Sequence, residues 1–256
     1  MSAEGLVSKL EKNITLQKGE EERFNGYGVM GLTFRSGHVL ALRHFMSSSI
    51  GPGYRSVWHR NPYGEWTFYA DTEPSRSCTR YFGEEVREAI NEKIDIIWTG
   101  NDQFKVEIKN IGFHWEVRLT ATPATKFMNL AASMMPALWW KNERTLKLVS
   151  NVAGKILDVG RVSLSGYVPN RQHFIANPYK LWLVDSSSAS LGKKDFGEPG
   201  PLNEQAHLRD FWIPQKGIFA LGRAYFESFD KDIHSAHYSR INNQFHLDES
   251  MRSSGI

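Results

Sequence analysis

The sequence predicts a mostly β protein whose antiparallel sheets curve into one or two barrel-like halves, with a helix near 125–140. Aromatic residues make up 12% of the 256 residues, and aromatic side chains are frequent in strands. Segments that alternate between apolar and polar residues recur along the chain, and clusters of Gly, Asn, Ser and Pro separate them as turns do. With 41% hydrophobic residues, a chain of this length forms a sizeable core.

The composition divides the chain into a peripheral N-terminal segment, a first β half, a linking helix with a second β half, and a polar C-terminal tail. These regions span 1–24, 25–123, 124–230 and 231–256. In the first region, Leu6, Leu10 and Ile14 recur at helical spacing, which predicts a short amphipathic helix. The two β-rich halves around a helix indicate a loose duplication.

The strands of the first half follow from a period of two in the sequence. Residues 104–109 and 113–120 alternate most strictly, which predicts an antiparallel pair with one buried face and one wet face. Further strands are predicted over 29–34, 38–45 and 94–98. Residues 83–91, with the sequence GEEVREAIN, predict a helix from their propensities.

The second half begins at a shift in composition near residues 121–123. Residues 125–142 predict the longest helix, which Pro136 is expected to kink or end. Strands are predicted again over 145–150, 155–159, 161–167, 179–184, 211–213 and 218–226. Residues 185–204 are rich in Ser, Gly and Pro, and they predict a long loop of the kind that is usually functional or mobile.

The segment 54–71 predicts a β-hairpin around a turn at 61–64. Centring the turn there pairs Arg60 with Glu65 and Tyr54 with Asp71. One face then mixes aromatic rings with hydroxyl, guanidinium and carboxyl groups, a mixture that is typical of the wall of a small-molecule pocket. The residues of this face that predict ligand binding are Tyr54, Trp58, Arg60 and Tyr69. A shift of the turn by one residue exchanges the faces, so Trp66 is retained as a candidate from the other face.

Three residues in and near this hairpin are candidates for acid–base catalysis. Asp71 lies on the mixed face, and a carboxyl group in an apolar cavity has a raised pKa and can donate a proton. His59 and His44 are alternative bases, because the pKa of imidazole lies near neutrality. Each has a structural alternative, since Asp commonly starts a turn and a half-buried His commonly bonds to a backbone carbonyl.

Other motifs predict no further chemistry. The pattern G-x-G-x-x-G at 26–31 lacks the preceding strand and following helix that a dinucleotide site needs. His234, His237 and His246 lie in a polar terminal segment without a cysteine or a close acidic pair, so no metal site is expected. Cys78 is expected to be structural, although two arginines lie close to it in sequence. No cofactor is expected.

Composition also bears on partners and location. The 31 Lys and Arg residues against 28 Asp and Glu give a formal net charge of +3, which is no reason to expect a nucleic-acid partner. No stretch is long and apolar enough to predict membrane insertion. The single cysteine allows no internal disulfide, and the first 23 residues show no apolar signal segment, so a cytoplasmic location is expected.

The order of features resembles that of the two-half lipocalin-like proteins, which include carotenoid hydratases of the hydroxyneurosporene synthase type and fungal lipocalin-like cyclases. The resemblance covers about 25–230, where a Met- and Trp-rich helix separates two runs of antiparallel strands. The segments that carry it are 56–60 (SVWHR), 66–69 (WTFY) and 211–214 (FWIP). It implies a lipocalin-like β-barrel pocket for an apolar small molecule, no metal, and acid-assisted or purely shape-based chemistry.

Three functions are therefore compatible with the sequence. The first is an enzyme that hydrates, dehydrates or isomerises a hydrophobic terpenoid, polyketide or aromatic molecule, and the second is a carrier with the same pocket but no catalysis. The third is a scaffold whose aromatic surface packs against a partner, for example in a homodimer. An acid and a base converging on a closed cavity would favour the enzyme, whereas a cavity without them would favour the carrier.

Overall fold

The computed structural model describes residues 2–136 and 139–234, and this part of the chain is mostly β, as predicted. The strands are β1 (Glu22–Val29), β2 (Leu32–Thr33), β3 (Val39–Ser48), β4 (Tyr54–Arg60), β5 (Trp66–Ala70), β6 (Val86–Asn91), β7 (Asp95–Gly100), β8 (Gln103–Ile108), β9 (Phe113–Thr120), β10 (Ser165–Tyr167), β11 (His173–Leu191), β12 (Lys194–Asp195), β13 (His207–Leu208), β14 (Phe211–Trp212) and β15 (Ile218–Phe226). The helices are α1 (Ala3–Lys12), α2 (Thr79–Phe82), α3 (Pro123–Met134) and α4 (Glu143–Leu157).

One large sheet organises the described residues. Its main path runs β6-β5-β4-β3-β1-β15-β11-β9-β8-β7, and β2, β10 and β12 attach at its sides. Neighbouring strands pair antiparallel except β5 and β6, which are parallel. The remaining strands, β13 and β14, form a separate two-stranded ribbon.

The sheet curls back on itself without closing. β6 and β7 form the two ends of the path, yet only residues 92–94 separate them in sequence. A linker of this length spans at most about 15 Å, so the two edges lie near one another. No pairing joins β6 to β7 within 2–136 and 139–234, so the closed lipocalin-like barrel is not confirmed.

The sheet has two apolar faces, because side chains alternate along each strand. In β3, Leu40 and Leu42 belong to one hydrophobic cluster, whereas Val39 and Ala41 belong to another. We call the first the inner face, since it also contains the apolar residues of β8 and β9, whose opposite side is half-buried in β8 and mostly exposed in β9. The strict alternation predicted for β8 and β9 is confirmed.

Helix α1 closes part of the inner face. Ser2 caps its first turn by accepting a hydrogen bond from the Gly5 amide at 3.2 Å, and Asp102 accepts one from the Ala3 amide at 2.7 Å. Ala3 and Val7 are buried in the inner cluster. The amphipathic helix predicted near the N-terminus is therefore present and is attached to the sheet.

The opposite side, which we call the outer face, is covered on β1, β3, β4, β11 and β15 by helices α2, α3 and α4 and by the segment around β14. Asn142 caps α4 by accepting a hydrogen bond from the Thr145 amide at 3.1 Å. Within the part of the chain that the structure describes, no helix has both the length and the apolar character needed to cross a bilayer.

Three sequence-based assignments were wrong. The helix predicted over 83–91 is largely the edge strand β6, because pairing with β5 overrides helical propensity. The strands predicted over 145–150 and 155–159 lie in or next to α4, whose buried residues recur at helical spacing. The loop predicted over 185–204 is partly strand, since β11 continues to Leu191.

The glycines of the G-x-G-x-x-G pattern have a structural role. A Cβ atom on Gly26 would lie 1.9 Å from the carbonyl oxygen of His44, and one on Gly28 would lie 1.9 Å from that of Leu42. Strand β1 therefore approaches β3 too closely for any side chain at these two positions. β2 follows the pattern instead of a helix, which agrees with the expectation that it is no dinucleotide site.

Candidate ligand-binding cavity

A cavity of about 410 Å³ lies between the outer face of the sheet and the helices that cover it. Its floor comes from β1, β3, β4, β11 and β15, and its cover comes mainly from α2, α3 and α4. The walls are almost entirely apolar, with aromatic side chains prominent among them. Those that bear on the argument below are Tyr54, Trp58, Phe82, Phe127 and Phe211.

The register of the hairpin decides which candidate residues face this cavity. Asn61 Oδ1 accepts hydrogen bonds from the amides of Tyr63 and Glu65, at 2.9 and 3.1 Å. The loop is thereby one residue longer than predicted, and Arg60 pairs with Trp66. The predicted pairing of Arg60 with Glu65 was wrong, and β5 is turned over relative to the prediction.

Tyr54 and Trp58 line the cavity, where the sequence placed them in a ligand pocket. The other predicted ligand-binding residues lie elsewhere. Tyr69 is buried in the inner cluster, and burial, together with Glu88 and Glu92, raises its pKa to about 12.

Trp66 lies on the outer face, edge-on to Phe68 at 6.2 Å between ring centroids, but it is not part of the cavity wall. Arg60 ends β4 and is half-buried outside the cavity. Both residues therefore lie beside the turn of the hairpin and outside the cavity.

Asp71 does not face the cavity either. Its carboxylate accepts hydrogen bonds from the Arg55 amide at 2.6 Å and from Arg55 Nη1 at 3.1 Å. The slip in register moves Asp71 away from Tyr54 and Trp58, so the structure does not bring the predicted acid to the aromatic wall.

His59 lies outside the cavity in a buried histidine pair. His38 Nδ1 and His59 Nε2 are 2.9 Å apart, and the ring of Phe196 stacks on both imidazoles. Burial lowers the pKa of each to about 4, with a further contribution from Lys194. His59 is thus neutral at pH 7 and is separated from the cavity by the sheet.

His44 packs edge-on against Tyr27, with 5.0 Å between ring centroids. Burial lowers its pKa to about 4, and Arg55 adds to this shift. Its Nδ1 atom is buried without a hydrogen-bond partner in the described residues. His44 is not part of the cavity wall, so the three predicted catalytic residues are not brought together there.

Arg43 is the functional candidate that sequence reasoning missed. It shares the outer side of β3 with Ala41 and Phe45, and it lines the cavity although it is only 4% exposed. Its guanidinium carbon lies 4.6 Å from the centre of the Trp58 ring, which is cation–π distance. The sequence signal that could have identified Arg43 is an arginine that lies between Ala41 and Phe45 on an apolar strand face.

The guanidinium of Arg43 bonds only to main-chain carbonyls in the described residues. Nη1 donates to the carbonyls of Val29 and Leu42 at 2.7 and 2.8 Å, and Nη2 donates to that of Met30 at 3.2 Å. No carboxylate forms an ion pair with it in that part of the chain. Burial lowers its pKa to about 10, so it remains a cation at pH 7.

Two neutral polar groups accompany this cation, and a hydrogen bond between them uses one of their two protons. The hydroxyl oxygen of Tyr54 lies 3.3 Å from the sulfur of Cys78, and both residues line the cavity. Burial raises the pKa of the Tyr54 hydroxyl well above its ordinary value and raises that of the Cys78 thiol. Both groups are therefore protonated at pH 7. Cys78, which the sequence assigned a structural role, belongs to the cavity wall.

The described wall contains no aspartate, glutamate or histidine. The arrangement can therefore hold an apolar molecule and present positive charge and hydrogen-bond donors to one end of it. It offers no carboxylate or imidazole to take up a proton. No group of three or more His, Cys, Asp and Glu residues within the described ranges forms a potential metal site.

A second, more polar cavity of about 800 Å³ adjoins the first. The two share six residues in their walls: Ala132, Met135, Trp140, Asn177, Arg223 and Phe226. At the second cavity, His173 Nε2 lies 3.1 Å from a carboxylate oxygen of Glu143. We regard this cavity as a polar extension beside the apolar one.

Comparison with known proteins gives little further information. No family model matches the chain, and no curated protein matches it. Among solved structures, it is similar to acetoacetate decarboxylase from Legionella pneumophila subsp. pneumophila str. Philadelphia 1, with a TM-score of 0.36 and 8% sequence identity. The match covers 88% of this chain and 95% of that chain. A similarity of this size supports no conclusion about function.

Proposed function

We propose that this protein binds a small amphipathic molecule, with the apolar body of the ligand in the cavity and a carboxylate or carbonyl group at Arg43. The observation that carries the proposal is a buried guanidinium, without a carboxylate partner in the described residues, at the wall of a mostly apolar cavity. A buried cation is costly unless an anion or strong acceptor compensates it, and guanidinium matches carboxylate geometry.

The size and lining of the cavity support a ligand of this kind. A volume of about 410 Å³ lies within the range of small-molecule sites, which are mostly apolar with few polar groups. Terpenoid, polyketide and aromatic molecules all provide an apolar body of suitable size. Tyr54 and Cys78, which share one hydrogen bond, leave one donor that would direct a carbonyl or carboxylate oxygen toward Arg43.

The composition of the cavity wall favours ligand binding without catalysis. Hydration, dehydration and isomerisation by acid–base chemistry require a group that accepts a proton. The predicted candidates for that role, His59 and His44, lie away from the cavity, and Asp71 is engaged with Arg55. The proposal is therefore a carrier or binding protein.

The test is native mass spectrometry of gently purified protein, followed by solvent extraction and identification of any bound molecule. We expect a stoichiometric apolar ligand that carries a carboxylate or carbonyl group. In Arg43→Met, affinity for that ligand should fall about thirtyfold, as expected for the loss of hydrogen bonds to a charged group. Arg60→Met is the matched control, because Arg60 lies outside the cavity, and it should bind normally. Equal binding by Arg43→Met and the unmodified protein would refute the proposal.

Catalysis on the bound molecule is the second candidate, and one observation favours it. Tyr54 and Cys78 share one hydrogen bond and leave one neutral donor near the Arg43 cation, and such groups stabilise negative charge that develops on a carbonyl oxygen. The test is turnover of the extracted ligand class in hydration, dehydration and isomerisation assays. Loss of turnover in Tyr54→Phe with unchanged ligand affinity would support an enzyme.

A closed lipocalin-like barrel, a cytoplasmic location and a homodimer stay predictions.

A further inference from the structure

The two helices that cover the cavity carry an unusual exposed surface. Six large apolar side chains on α3, α4 and the turn between them are 41–74% exposed. We call them the helical patch: Phe127, Leu130, Met134, Trp139, Leu148 and Val152. A surface of several neighbouring large apolar side chains usually marks an interaction site.

Helical spacing gathers the patch on one side of each helix. Phe127, Leu130 and Met134 follow one another at three and four residues along α3, and Leu148 and Val152 are four apart on α4. Both helices also have a separate buried side, which includes Met128 on α3 and Leu157 on α4. The exposed stripes are therefore additional to the residues that attach these helices to the sheet.

The patch is continuous with the cavity. Phe127, Leu148 and Val152 are exposed and also line the cavity wall. The cavity thus reaches the surface between α3 and α4, within the patch. An apolar ligand that leaves the cavity here meets the patch before it meets water.

The charges around the patch are almost all positive. In residues 123–157 the basic side chains are Lys126, Lys141, Arg144, Lys147 and Lys155, and all of them are exposed. None forms an ion pair within the described residues. Glu143 is the one acidic residue in 123–157, and it is already engaged with His173.

We propose that the helical patch docks on a membrane surface that contains anionic lipids, which opens the cavity toward the acyl chains. Exposed Trp, Phe, Leu and Met beside Lys and Arg are the composition of helices that lie in the plane of a membrane interface. A second copy of this chain would bring the same five basic residues against themselves, so charge complementarity favours the anionic lipid surface. Such docking is peripheral and needs no spanning helix.

The inference adds a partner to the proposed function and is tested without the cavity ligand. The full chain is mixed with vesicles of phosphatidylcholine alone and with vesicles that also contain phosphatidylserine, and bound protein is measured by co-sedimentation. We expect binding to the anionic vesicles that weakens as salt is raised, and little binding to the neutral ones.

Two sets of variants separate the apolar and electrostatic contributions. Leu130→Ser/Met134→Ser/Trp139→Ser changes exposed residues that do not line the cavity, and it should lower affinity for anionic vesicles at least about a hundredfold. Lys126→Gln/Lys147→Gln should lower it about twenty-fivefold, at about fivefold for each positive charge. The matched controls are Tyr63→Ser/Ile14→Ser and Lys18→Gln/Lys193→Gln, which change exposed residues elsewhere and should bind normally.

The outcomes discriminate between occupants of the patch. Binding to neither kind of vesicle, or equal losses in patch and control variants, would overturn the proposal. A concentration-dependent dimer in sedimentation velocity that the triple patch variant abolishes, without vesicle binding, would assign the patch to a second copy. The triple variant should still take up an apolar ligand from solution, so failure to dock and failure to bind ligand are distinguishable.

Discussion

The inner and outer faces of the curled sheet are both apolar, yet they are covered in different ways. On the inner face, large side chains such as Phe104, Trp115 and Phe219 are fully buried in one cluster, which α1 helps to close. On the outer face, the covering helices leave a cavity of about 410 Å³ with Arg43 at its wall. An apolar face alone therefore does not mark a ligand site. The proposed ligand site lies where the cover is incomplete and where a buried guanidinium has no carboxylate partner in the described residues.

The difference arises from what covers each face. Strands β8 and β9 present one apolar side to the inner cluster, and their other side is half-buried in β8 and mostly exposed in β9. Their large apolar side chains therefore all pack into the inner cluster. Helices α3 and α4 divide their apolar residues between the sheet, the cavity and the surface. The outer face thus retains both free volume and an exposed apolar entrance.

Truncation on the inner face should have the largest effect on stability and almost none on ligand binding. In Trp115→Ala we expect the free energy of unfolding to fall by about 3–5 kcal/mol, because the removed indole leaves a cavity in a packed core. Urea unfolding measures the change. His114→Ala, at the exposed neighbouring position, should change stability by less than about 0.5 kcal/mol. A small loss in the free energy of unfolding of Trp115→Ala would contradict the tight packing of the inner face.

Acid should weaken the fold through the histidines that lie away from the cavity. The pKa values of His38 and His59 are lowered from 6.5 to about 4, so the unfolded chain binds protons first as the pH falls. Their contribution to stability is complete above pH 6.5 and is lost as the pH falls from 6.5 to 4. Urea unfolding across this range measures the loss.

A double variant isolates the histidine pair. His38→Gln/His59→Gln should flatten most of the pH dependence, and the remaining slope should come from His44, whose pKa is lowered in the same direction. His114→Gln is the control, because His114 is exposed, and its profile should match that of the unmodified protein. An unchanged profile in the double variant would show that the pair does not govern acid stability.

A substitution that fills the outer cavity should have the opposite result: it should weaken ligand binding and change stability little. Ala132 lies on α3, is half-buried and lines the cavity. In Ala132→Phe we expect the affinity for the extracted ligand to fall at least about tenfold, while the free energy of unfolding changes by less than about 1.5 kcal/mol. Parallel ligand-binding and urea measurements test this. A large loss of stability would show that the cavity has no free volume at this position.

The smallest effect should come from Asp71, the acid that the sequence favoured. Asp71→Asn keeps an acceptor for the Arg55 amide but weakens the ion pair, so we expect a loss of about 1 kcal/mol or less in the free energy of unfolding. Ligand affinity and any turnover should not change, because Asp71 lies outside the cavity. Lost turnover with retained affinity would instead restore Asp71 as the catalytic acid.

Local sequence patterns were sufficient where one segment fixes its own structure. The alternation in β8 and β9, the hairpin of β4 and β5 and the N-terminal helix were all predictable, because each depends on short-range periodicity and turn chemistry. The same reasoning selected Tyr54 and Trp58 for a ligand wall, and both line the cavity. It failed for α4, because the strands predicted over 145–150 and 155–159 lie in or next to a helix whose buried residues recur at helical spacing.

The sequence by itself determined that the chain is mostly β and that it carries an aromatic wall suited to an apolar molecule. Only the tertiary structure decided which side of β5 shares a face with Tyr54 and Trp58, because the turn at Asn61 is one residue longer than predicted and turns β5 over. It also decided the role of Arg43. A charge within an apolar strand is informative only when its burial and the distance to any carboxylate are known, and both depend on residues that are distant in sequence.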